Sequence, residues 1–280
     1  MSAVTAVTEA WTDHTFTVSD GTKLHYVEMG RGTPVILIHG AGGSAVGNWF
    51  ANGIAPRLAK TNRVIGIDMR AHGLSEDGPP GGRGKMADDV IEFMDAQGIK
   101  TAHIGGYSMG GGVTLTLLVQ HPERFITASF HGSGVGETAE WRDRVPADKE
   151  GGDPEAKAAR DAYQASRAAR GEAVGNGASV IRGEPEASEA EQRARMEAMA
   201  KRREALLESL DLTKIKFPIM TINGEFDRPL AKSHRLWREC DDFTNLVLPG
   251  KGHLSAVMKG FIPDAYIDGM AAFITRNNPR

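Results

Sequence analysis

Three apolar runs of strand length constrain this chain more than anything else in it: "PVILIHG" at 34–40, "NRVIGID" at 62–68 and "AHIGGYS" at 102–108. None alternates apolar with polar residues. A strand made from any of them must therefore be covered on both faces, the condition of a parallel sheet lined by helices. The stretch between the last two supplies such a helix. In "GKMADDVIEFMDAQGI", Met86, Val90, Phe93 and Met94 recur at helical spacing and Gly98 stands where the helix would stop. Strand, helix and strand in that order require a right-handed crossover. Upstream, "HTFTV" and "KLHYVE" flank Asp20-Gly21 as the arms of a hairpin would. Downstream, "VTLTLLVQHPERF" reads as a helix closed by Pro122. "ITASFHG", "FPIMTING" and "TNLVLPG" read as further strands, and 263–276 as a final helix. The fold class that follows is α/β, with a mostly parallel, doubly wound sheet.

At about Gly134 the composition changes. From there to about 212 the chain is rich in Ala, Arg and Glu, and Trp141 and Tyr163 are its only aromatics. This reads as an inserted helical segment, 134–212, between two parts of one core, 1–133 and 213–280. Met196, Met199, Leu206 and Leu210 recur along it at helical intervals, a stripe that would either dock the insert or face a pocket. Glycines at 151–152 and in "GEAVGNG" are candidate hinges for a mobile lid. Residues 140–211 hold 13 Lys and Arg against 16 Asp and Glu, a balance of −3, which makes no cationic groove.

The chemistry is concentrated in "GGYSMGG" at 105–111. Gly106-Tyr107-Ser108-Met109-Gly110 fits a G-x-S-x-G elbow between a strand and a helix, where flanking glycines permit a sharp turn that lifts the serine above the sheet. The helix start behind it favours developing negative charge. A serine hydroxyl needs a base, and His253 in "GKGH" is the strongest of nine histidines. His39, His72 and His103 are weaker, the first two lying in loop motifs and the third in a strand. The acid that orients the imidazole is expected at Asp227, with Glu225 its neighbour. Asp241 and Asp242 read as a solvated helix end, and Asp68 as the anchor of its own turn.

With "HGAGGS" after the first parallel strand, "DMRAHGLS" at 68–75, "GGYSMGG", "NGEFD" at 223–227 and "GKGH" at 250–253 in this order, the chain resembles the α/β-hydrolase family, in particular capped serine esterases and carbon–carbon bond hydrolases. The resemblance implies an α/β-hydrolase core with 134–212 as its helical cap. It also implies Ser108, Asp227 and His253 as catalytic triad and the backbone N–H groups of Ala41 and Met109 as oxyanion hole. Tyr107, Trp141, Met196 and Met199 are candidate pocket residues. The expected function is cofactor-free and metal-free cleavage of small carboxylic esters, lactones included, through an acyl-enzyme. The alternatives are carbon–carbon cleavage of diketone-like acids and a hydrolase-like receptor that turns over slowly. Haloalkane dehalogenases and epoxide hydrolases share the architecture but place a carboxylate where this chain has Ser108.

A net charge of −3 and a pI near 6.3 argue against nucleic acid or an anionic membrane as partner, so a small-molecule ester is the expected one. The start "MSAVTAVTEAWTDHT" lacks a basic and an apolar signal region, and with Cys240 the single cysteine a cytoplasmic setting is expected.

Overall fold

The computed structural model describes residues 11–79, 81–171 and 188–279. Among these residues eight strands form one sheet: β1 (Thr12–Thr17), β2 (Lys23–Met29), β3 (Thr33–Ile38), β4 (Asn62–Ile67), β5 (Ala102–Tyr107), β6 (Phe125–His131), β7 (Ile219–Gly224) and β8 (Phe243–Leu248). Their spatial order is β1-β2-β4-β3-β5-β6-β7-β8. β1 and β2 are the expected hairpin, and Gly21 takes φ +87° in its turn. β2 also runs antiparallel to β4, whereas every pairing from β4 to β8 is parallel.

Among the described residues, eight α-helices accompany the sheet: α1 (Ile54–Leu58), α2 (Gly82–Ala96), α3 (Met109–Gln120), α4 (Ala139–Arg142), α5 (Ala156–Ala169), α6 (Glu189–Ser209), α7 (Pro229–Glu239) and α8 (Asp264–Arg276). The continuous apolar runs are explained by what each face meets. Val35 and Leu37 of β3 pack with Trp49, Leu58, Tyr266 and Phe273, while Ile36 and Ile38 pack with Val90, Phe93, Val113 and Leu117 on the opposite side. All four β3 residues are fully buried, each contributing about 1.5–3 kcal/mol of hydrophobic stabilisation. β3 pairs with β4 on one side and β5 on the other, so the winding direction reverses there. Open α/β sheets carry their ligand crevice at the carboxyl ends of the strands beside such a reversal.

Helices α4, α5 and α6 lie in the chain between β6 and β7, within the expected insert. Its first half is fastened to the rest of the molecule. Asp148 accepts hydrogen bonds from the N–H groups of Leu230 (2.7 Å) and Ala231 (3.2 Å), Lys149 pairs with Glu225, Ser255 Oγ donates to Asp153, and Lys251 pairs with Glu155. Gly151 takes φ +130° against the Phe226 ring, so this candidate hinge is flanked by anchored residues. Gly171 also has positive φ; residues 172–177 of the second cluster lie outside the described residues.

α6 opens on a capping box between Ser188 and Glu191. Leu206, Leu207 and Leu210 pack onto the core, and Arg235 donates to the Leu207 and Leu210 carbonyls. Met196 is 67% exposed, so the expected stripe docks at its carboxyl end and not at Met196. The side chain of Met199 lies outside the described residues. Among the described residues no helix is long and apolar enough to cross a membrane.

Candidate active site

Ser108 follows β5 and immediately precedes α3, with φ +52° and ψ −107°. A non-glycine residue at positive φ costs about 1–3 kcal/mol and persists only where its surroundings hold it. Those surroundings are visible. The Ser108 N–H donates to the His131 carbonyl (2.8 Å) and its carbonyl accepts from the Gly111 N–H (3.1 Å). A Cβ on Gly106 would stand 2.1 Å from the Gly110 carbonyl oxygen, and one on Gly110 2.2 Å from that of Ile38. The glycines are therefore required by backbone packed on backbone. The Met109 N–H belongs to the first turn of α3, whose donors have no intrahelical acceptor.

The loop after β3 lies against this elbow: a Cβ on Gly40 would meet the Tyr107 ring at 2.7 Å and Ser108 Cβ at 3.4 Å. Its backbone is fixed from behind. Asn48 Oδ1 accepts from the Gly40 N–H, and the Gly43 N–H closes on the Gly40 carbonyl. Buried His39 accepts from the Met69 N–H at Nε2, which makes it neutral and leaves its Nδ1–H to donate to the Gly40 carbonyl (2.8 Å). Asp68 accepts from the N–H groups of Ala45 and Leu74 and from His25, tying the "DMRAHGLS" loop to this one. Burial alone would raise the Asp68 pKa; the hydrogen bonds from His25 and from the two N–H groups outweigh it and hold the carboxyl below its ordinary value. Ala41, in this loop, is exposed.

His253 Nε2 lies 3.0 Å from Ser108 Oγ, and its Nδ1 lies 2.8 Å from Asp227 Oδ2. The structure thus brings together the three residues singled out as a triad. The other candidate histidines are occupied: burial pushes both His72 and His103 down to about 4. Glu225 is turned away, bonded to Lys149 and to the Gly250 N–H. Two partners of the triad were not read from the sequence. Tyr107 is 4% exposed beneath His253, its ring stacked on the imidazole (centroids 5.0 Å apart) and its hydroxyl donating to the His253 carbonyl (2.7 Å). Lys232 Nζ lies 2.6 Å from Asp227 Oδ1 and donates to the Gly132 carbonyl.

The pocket expectations need correction. Tyr107 is buried, with its ring stacked on His253 and its hydroxyl on the His253 carbonyl, so it backs the histidine. Trp141 has Arg238 at 4.2 Å and Arg144 at 4.7 Å over its ring, which docks α4 on α7. Met196 is solvent-exposed. In their place, α5 lays Tyr163, Arg167 and Arg170 along the loop after β3. Tyr163 donates to the Gly42 carbonyl (3.0 Å), Arg167 is buried over the Tyr163 ring, and Arg170 reaches Ser44 Oγ. The spacing of these three residues, one helical face, was the available signal. Among the described residues no group of three or more His, Cys, Asp or Glu is arranged to hold a metal ion.

A family model for the alpha/beta hydrolase fold matches residues 33–152. The acetyltransferase component of an acetoin cleaving system from Pseudomonas putida is 37% identical over 42% of this chain and 32% of its own length. A 2-hydroxymuconate semialdehyde hydrolase from Pseudomonas sp. strain CF600 is 36% identical over 41% of this chain and 42% of its own. These matches span well under half the length of either relative. Among solved structures, a thermophilic esterase from Thermogutta terrifontis superposes with a TM-score of 0.61 at 22% identity, covering 96% of this chain and 100% of that one. With its sheet order, nucleophile-elbow geometry and these matches, the chain has the α/β-hydrolase fold.

Proposed function

We propose that this chain is a serine hydrolase that cleaves carboxylic ester bonds of a small molecule, lactones included, through an acyl-enzyme. The observation that carries the reading is the unbroken line from Ser108 Oγ through His253 to Asp227, with contacts of 3.0 and 2.8 Å, at the amino end of α3. In the proposed cycle Ser108 Oγ attacks the carbonyl carbon as its proton passes to His253 Nε2. The negative charge gathers on the carbonyl oxygen, facing the Met109 and Ala41 N–H groups. The proton on His253 then leaves with the alkoxide, and water repeats the sequence on the acyl-enzyme. No cofactor is part of this proposal. Residues 134–212 would act as the cap that selects substrates, with α5 pressed on the oxyanion loop. The test is Ser108→Ala with p-nitrophenyl acetate. Turnover should fall by about three orders of magnitude or more, and unchanged turnover contradicts the reading. A single stoichiometric burst from the parent enzyme would instead indicate the slow-turnover receptor.

A second reading, hydrolysis of a carbon–carbon bond in a diketone-like acid, is favoured by one observation. The buried guanidinium of Arg167 stands over Tyr163 beside the loop that would bind the oxyanion, where it could receive a substrate carboxylate. The likeness to the semialdehyde hydrolase points the same way. A panel of short acyl esters run beside a ring-cleavage diketone separates the two, and activity on the diketone alone selects the second.

A further inference from the structure

Lys232 stands in the first turn of α7, where the helix dipole disfavours a cation, and its side chain is only 22% exposed. Two groups hold it there: Asp227 Oδ1 at 2.6 Å and the Gly132 carbonyl at 3.1 Å. Its own carbonyl accepts from the Val135 N–H, so the backbone is fixed as well. Burial pushes the Lys232 ammonium below its ordinary value, while the Asp227 carboxylate pulls it partly back. The two oxygens of Asp227 are thereby divided, Oδ2 to His253 and Oδ1 to Lys232.

We propose that Lys232 is a positioning residue of the site, fixing the Asp227 carboxylate and offsetting its charge so that His253 releases its proton at lower pH. The inference rests on the serine-hydrolase reading for its meaning, not for its measurement. An uncompensated carboxylate would hold the imidazolium proton more tightly, confining a histidine base to higher pH. The other groups around the pair are accounted for. Arg228 precedes α7 and Asp148 caps it; Tyr107 lies neutral beneath the imidazole, and Ser108 is in front. Asp153 and Glu155 border the histidine loop, bonded to Ser255 and Lys251. Among these, Lys232 is the cation in contact with the acid. Charges separated by a carboxylate and two hydrogen bonds, in a half-exposed site, interact by about one pH unit.

The test uses Lys232→Met, Lys232→Gln and Lys232→Arg in the full chain. Gln removes the charge while keeping a donor for Gly132, so it guards against a variant that fails to fold. The His253 ring is followed by NMR titration of histidine-labelled protein, assigned by its absence in His253→Gln, beside the pH profile of kcat/KM for p-nitrophenyl acetate. Met and Gln should move the His253 midpoint and the acid limb upward by about one unit with little change in KM, and Arg should keep both near the parent's. An unmoved midpoint in folded Met or Gln variants overturns the proposal, as does loss of activity with the limb in place. The titration needs no turnover. If the parent hydrolyses no ester, the proposed function fails while the titration still decides the role of Lys232.

Discussion

Tyr107→Phe removes one oxygen and leaves the stacked ring beneath His253. The hydroxyl donates to the His253 carbonyl at 2.7 Å from a position 4% exposed, so water cannot readily replace it. Leaving that carbonyl without its donor should cost about 1–3 kcal/mol of stability. Burial pushes the Tyr107 phenol well above its ordinary value, with Asp227 adding to the effect, so the hydroxyl remains a donor throughout any working pH range. The bond also fixes the backbone that aims the imidazole at Ser108, and a small loss of aim should lower kcat about tenfold with KM unchanged. Urea unfolding and steady-state kinetics on a short ester measure both effects. A changed KM with kcat intact would return Tyr107 to the pocket, and unchanged stability and kcat would refute the clamp altogether.

Gly110→Ala should destabilise by about 3 kcal/mol or more, because its Cβ would meet the Ile38 carbonyl oxygen at 2.2 Å. Gly84→Ala, with open space at its Cβ within α2, is the control and should stabilise by about 0.5–1 kcal/mol in the same urea titration. Tyr163→Phe should lower kcat about threefold to tenfold by releasing the Gly42 carbonyl beside the proposed oxyanion donor, measured on the same ester. The His25–Asp68 pair gives a pH test. Burial opposes the charge on His25, but Asp68 and Asp13 outweigh it and raise its pKa above 6.5, while that of Asp68 lies below 3.8. The pair's ionic contribution is full between those two reference values. It is lost as pH rises through the folded value of His25 and as pH falls through that of Asp68. The stability gap between parent and Asp68→Asn should therefore be wider at pH 5 than at pH 9, as read by urea unfolding.

What was legible in the sequence is what backbone packing dictates locally. Ile36 and Leu37 face opposite helical layers, so β3 had to be continuously apolar. Gly106 and Gly110 sit where backbone meets backbone, so the elbow could be written in no other residue. What was not legible depends on direction and on distant partners. The helical spacing of Met196 marks a face without saying what covers it, and its part of α6 meets solvent. Tyr107 occupies the variable position of the elbow motif, and only the pleat of β5 turns it under His253. Lys232 reaches Asp227 because Arg228 adopts φ +53° and Pro229 starts α7 at once, reversing the chain within a few residues. A proline directly after the acid loop was the available signal. The Gly42 carbonyl that Tyr163 reaches lies 121 residues upstream, beyond any local pattern.

The central claim is that Ser108 is a nucleophile made reactive by His253. Incubating the parent protein with a fluorophosphonate and mapping adducts by peptide mass spectrometry tests it directly. The account predicts one stoichiometric adduct on Ser108, absent in Ser108→Ala and strongly slowed in His253→Gln. No adduct on the folded parent, an adduct on another residue, or labelling of Ser108 at the parent's rate without His253 would contradict it.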